Sequence, residues 1–70
     1  MTLTEQLAAA ERLDELLRES LVLSQRLERE PELHVSAAKC GDSLKVARTW
    51  AADLVAQVDY EIHGEPTQAT

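Results

Sequence analysis

The chain has seventy residues, thirteen acidic and seven basic, for a formal net charge of −6, and acids outnumber bases in both halves. A surface of that sign repels phosphate backbones, and one tryptophan, one tyrosine and no phenylalanine leave no platform for base stacking, so nucleic acid is not an expected partner. No apolar run approaches the roughly 18–20 residues that cross a bilayer, and the N-terminus lacks the basic start and apolar core of a signal peptide, so a cytoplasmic chain with no membrane partner is expected.

Helix 1 is predicted over about residues 3–29. Thr2-Leu3-Thr4-Glu5 has capping-box spacing, in which a hydroxyl accepts from a backbone N–H while the glutamate reaches back. Glu5 to Arg29 contains no glycine or proline and is rich in Leu, Ala, Glu and Arg, all strong helix formers. Arg26 and Arg29 suit the negative end of the helix dipole.

The break is placed at Glu30-Pro31. Proline disfavours helix at the preceding residue but fits the first turn of a new helix. Helix 2 is predicted over about 32–63. Its signature is an apolar series at alternating steps of three and four: Leu33, Ala37, Cys40, Leu44, Ala47, Ala51, Leu54, Val58 and Ile62. That spacing holds one narrow stripe on a helix. Gly41 costs about 1 kcal/mol inside a helix relative to alanine, and Gly41-Asp42 also reads as a stop and new cap. The stripe continues in phase from Cys40 to Leu44, which argues for an unbroken helix. Gly64 then fits a C-terminal cap and Pro66 ends any helix. Residues 1–64 make one helical-hairpin domain, and residues 65–70 read as a flexible tail. The fold class is therefore all-α, an antiparallel two-helix hairpin resembling a coiled coil.

Two such helices have too much apolar surface for each other. At about 100° per residue, one stripe of helix 1 holds Leu3, Leu7, Ala10, Leu17 and Leu21. A second holds Leu13, Leu16, Leu23 and Leu27. Together they cover roughly 200°, where one face needs about 100°. Helix 2 adds a side patch of Val46 and Trp50. If the first stripe forms the seam, the second lies on the same side as Trp50 and at the same height. Leu13, Leu16, Leu23, Leu27, Val46 and Trp50 are then one partner-binding patch, with the tryptophan as its natural hot spot. A homodimer core is the competing reading, because helical hairpins often self-associate.

Chemistry is not expected. The chain has no phosphate-cradling loop, no metalloprotease motif and no cysteine pair. Cys40 is the single cysteine, and its place on the stripe predicts a buried, inert thiol. Glu30–His34 and Asp59–His63 have four-residue spacing that suits metal ligands, but ordinary surface pairs on helices have the same spacing. Tyr60 is expected to pack at the open end of the hairpin. No enzyme activity, cofactor or metal is predicted.

The second half carries a resemblance. Ala38 to Gly64, above all Leu54-Val55-Ala56-Gln57-Val58-Asp59-Tyr60-Glu61-Ile62-His63-Gly64, resembles the C-terminal helix of the small type III secretion co-chaperones of the YscE/SsaE kind. The opening Met1-Thr2-Leu3-Thr4-Glu5-Gln6-Leu7 looks like their start. Length, acidity and the two-helix plan agree over nearly the whole chain, while Gly41-Asp42 departs from the pattern. The resemblance implies a cytoplasmic hairpin that binds and stabilises a tetratricopeptide-like chaperone. Through it, the hairpin would help keep the needle subunit monomeric before export. The alternative left by the residues alone is a small homodimeric helical regulator or inhibitor of phage or antitoxin type.

Overall fold

The computed structural model describes residues 1–64, so the tail assigned to 65–70 lies outside the described residues. Two helices are present: α1, Leu3–Leu27, and α2, His34–His63. They pack against each other as an antiparallel hairpin. The molecule measures 53 × 27 × 12 Å, so it is one helix thick. Stable domains ordinarily stack at least two layers.

The start of α1 follows from its first five residues. The Glu5 backbone N–H donates to Thr2 Oγ1 at 3.1 Å, and the Thr2 N–H donates to Glu5 Oε1 at 2.8 Å. This reciprocal pair is the capping box expected from the spacing. Hydrogen bonding from the Thr2 backbone N–H, and after it from the Thr2 side chain, holds the Glu5 carboxyl below its ordinary pKa of 4.5.

Each helix stops short of its predicted end at the turn. Residues 28–33 form two consecutive tight turns closed by Glu30 N–H to the Leu27 carbonyl and Leu33 N–H to the Glu30 carbonyl, both 3.0 Å. Pro31 lies in this turn, not in the first turn of α2. Leu33 is the N-cap of α2 and offers no side-chain acceptor, while the His34 ring Nδ1–H reaches back to the Glu28 carbonyl at 2.9 Å. Helix α2 runs through Gly41 without a break and ends at Gly64, whose φ of 75° is open only to residues that tolerate the left-handed side.

The core is made of small residues. Ala10, Ser24, Ala37, Gly41 and Ala51 are the buried positions of the two helices. The first α1 stripe does face α2, with Leu7, Leu17 and Leu21 half-buried. On α2 the contact line is rotated from the predicted stripe. Gly41, Arg48 and Val55 turn inward, while Leu33, Cys40, Leu54 and Ile62 are exposed. The expected burial of Cys40 is therefore corrected. The cause is Gly41, which lets α1 approach so closely that an added Cβ would lie 3.3 Å from Ser24 Oγ. The helices settle around that point of closest approach, and Cys40 is displaced to the edge. Ser24 Oγ donates to the Ala37 carbonyl at 2.7 Å within the seam.

Candidate protein-binding surface

Three pairs across the seam fix the register: Ser24 with Ala37, Leu21 beside Gly41, and Asp14 with Arg48. They define two long flanks. One is charged, with Glu11, Arg12, Glu15 and Arg18 around Asp14 and Val55. There Arg18 pairs with Asp14 at 3.0 Å, Arg48 Nε stands 3.8 Å from the same carboxylate, and Arg12 pairs with Glu15. Arg48 Nε is buried without a hydrogen-bond partner.

The other flank is apolar. Leu13 of α1 faces Leu54 and Val58 of α2 across a groove of about 270 Å³ that also takes in Ala9. Trp50 stands one turn before Leu54 on the same row, a spacing that keeps both on this side of α2. Since Arg48 is level with Asp14 and Leu54 with Leu13, Trp50 is level with the Leu13–Leu16 turn. It is 65 % exposed, and Leu16 is 43 % exposed.

The remaining predicted positions are more dispersed. Leu23 and Leu27 carry the apolar row along α1 toward the turn, where they line a depression with Arg26, Arg29 and Glu30. Val46, another turn before Trp50, lies about 160° around α2 from Leu44, so it is on the outer face that also carries Tyr60 and not beside the groove. All six predicted positions are exposed. Leu54 and Cys40 belong to this side as well. Periodicity alone put them in the seam; the signal that moves them out is the lack of a side chain at Gly41.

Tyr60 is half-exposed on the outer face of α2, among Ala56, Gln57 and Glu61, and does not close the end of the hairpin as expected. The physical reason is angular: it lies nearly opposite Leu44 and Ala51 on the helix. His63 Nδ1 lies 3.1 Å from Asp59 Oδ1 and 3.0 Å from the Asp59 carbonyl oxygen, as a helix-surface pair. Among the described residues there is no group of three His, Cys, Asp or Glu side chains placed to hold a metal ion. No helix is long and apolar enough to cross a membrane.

Fold and surface together define a class: an all-α helical hairpin, one helix thick, with one charged flank and one apolar flank that nothing among the described residues covers. Comparison with protein-family models, with curated proteins and with solved structures finds no match to this chain.

Proposed function

We propose that this hairpin is a type III secretion co-chaperone. It docks its apolar flank onto a tetratricopeptide-like chaperone and stabilises it, and that chaperone keeps the needle subunit monomeric in the cytoplasm before export. The observation that carries the reading is the core. Nothing larger than Ser24 is buried in either helix, while Leu13, Leu16, Leu23, Leu27, Val46 and Trp50 stay exposed. Full burial of a large apolar side chain stabilises by roughly 1.5–3 kcal/mol. Six half-exposed side chains therefore hold on the order of 6 kcal/mol that only a partner can release. The resemblance of Leu54 to Gly64 to the co-chaperone helix supplies the identity of that partner. The mechanism is burial: a helical-repeat groove and an exposed leucine flank each cover the other, with no bond made or broken.

The test is a pull-down of the tagged chain from its native cells, with mass spectrometry of the proteins retained. A helical-repeat protein together with a small needle-like subunit is expected. Trp50→Asp and Leu16→Asp should each abolish the complex while far-UV circular dichroism keeps its helical signal. Full complex formation by both variants would refute the surface. Recovery of the chain alone, as a dimer, would instead favour the homodimeric regulator and make the same leucines and Trp50 its core.

A further inference from the structure

The apolar flank carries one row of side chains from each helix. The α1 row is Ala9, Leu13, Leu16, Ser20, Leu23 and Leu27. The α2 row is Ser36, Cys40, Ser43, Ala47, Trp50 and Leu54. In both, steps of four and three alternate, which is the spacing of a coiled-coil seam. Each row lies roughly 90° around its helix from the residues buried between the helices, so the two rows stand side by side on one face. None of these residues is charged. Each row is about 27 Å long and two helices abreast are about 20 Å wide. Two such faces together cover about 1,000 Å², the size a specific interface needs.

Both rows read the same in either direction, so a second copy laid antiparallel over the face repeats their spacing. The α1 row is centred at the height of Arg18 and the α2 row at the height of Lys45. The seam pairs Asp14–Arg48 and Leu21–Gly41 put Arg18 opposite Leu44, so the two centres share one height to within about 1.5 Å. A single two-fold axis can then pass through both, with α1 over α1 and α2 over α2. Side-chain size agrees with that axis. Trp50 meets Cys40 of the second copy, Leu54 its Ser36, Leu16 its Ser20 and Leu27 its Ala9, which sets large against small at facing positions. Leu13 meets Leu23, and Ala47 meets Ser43. A parallel copy would instead lay α1 over α2, gathering two tryptophans and two leucines in one layer and four serines in another. We infer that in the free protein the flank is covered by a second, antiparallel copy of this chain. The pair closes a four-helix bundle and supplies the second layer that one hairpin lacks. The contact is isologous, each row meeting its own copy. This inference rests on the docking flank assigned above and adds its regulation: the dimer and the chaperone complex use one surface, so the copies must part before the chaperone binds.

The test starts from the purified full chain. Sedimentation equilibrium should give twice 7.8 kDa as concentration rises, with Trp50 emission shifting to the blue in step. A constant 7.8 kDa would overturn the inference and leave standing the co-chaperone reading, which the pull-down decides. Single-cysteine chains in a Cys40→Ser background then read the arrangement. Ala47→Cys mixed with Ser43→Cys should form a disulfide at least about tenfold faster than Ser20→Cys mixed with Ser43→Cys, because Cα atoms more than about 7 Å apart are not bridged without moving the backbone. The reverse preference would overturn the antiparallel packing in favour of the parallel one. Equal rates would overturn a fixed contact through this flank. Leu16→Asp and Trp50→Asp should each return the mass to 7.8 kDa, and a dimer that persists in both is held by another surface and overturns the inference. If either aspartate variant loses its helical signal, the cross-linking rates of the folded chains decide.

Discussion

Replacing Gly41 by alanine sets two effects of known sign against each other. An alanine inside a helix is about 1 kcal/mol better than glycine, so an open position would gain that amount. At Gly41 the new Cβ would lie 3.3 Å from Ser24 Oγ and 3.8 Å from Leu21 Cδ1. The hydroxyl cannot simply swing away, because it donates to the Ala37 carbonyl at 2.7 Å inside the seam. Relief comes either from losing that hydrogen bond and leaving the Ala37 carbonyl unpaired in the seam, about 1–3 kcal/mol, or from spreading the helices, which costs about 1–3 kcal/mol for an overpacked core. With the propensity gain subtracted, Gly41→Ala is expected to destabilise the hairpin by about 1 kcal/mol. In a Ser24→Ala background the obstructing oxygen is gone, and the same substitution should stabilise by about 1 kcal/mol. The double-mutant cycle therefore predicts a coupling of about 2 kcal/mol between positions 24 and 41. Urea unfolding followed by far-UV circular dichroism measures it, and each 1 kcal/mol corresponds to a shift of about 4–8 °C in Tm for a domain of this size. If Gly41→Ala alone stabilises the protein by the full propensity gain, the helices do not approach at Gly41 and the rotated seam is wrong.

Two further predictions concern charged groups. Asp14 pairs with Arg18 at 3.0 Å, stands 3.8 Å from Arg48 Nε, and is only 20 % exposed in its side chain. Asp14→Ala should therefore cost about 1 kcal/mol, whereas Arg48→Met, which removes a buried unpartnered Nε, should stay within about 0.5 kcal/mol of the wild type in the same urea assay. The Glu5 carboxyl is held below its ordinary pKa by the Thr2 backbone and side-chain bonds. Its contribution to stability is therefore present above pH 4.5 and is lost as pH falls through its lowered folded value. Glu5→Gln should flatten the acid side of the stability–pH profile, and an unchanged profile would remove the capping box as the cause.

The sequence alone determined the two helices, the capping box at Thr2 and Glu5, the turn around Pro31, and the surplus of apolar surface. These are local or periodic properties. Capping needs residues three apart, proline acts on its own neighbours, and the leucine rows of α1 follow from the helical repeat whatever α1 packs against. The surplus was legible because two stripes on one helix exceed what one neighbouring helix can cover. The tertiary structure decided which residues of α2 meet α1. Periodicity fixes a stripe only to within its own width, and Cys40 and Gly41 are adjacent candidates for the same contact. The choice fell to Gly41 because a missing side chain permits the closest approach, and the hydroxyl of Ser24 is the right size to fill that space and bond the Ala37 carbonyl. That single contact rotates α2, exposes Cys40 and Leu54, draws Arg48 toward Asp14, and leaves one flank apolar and the other charged. No pattern along either helix contains that outcome, because it depends on how two surfaces fit at one point.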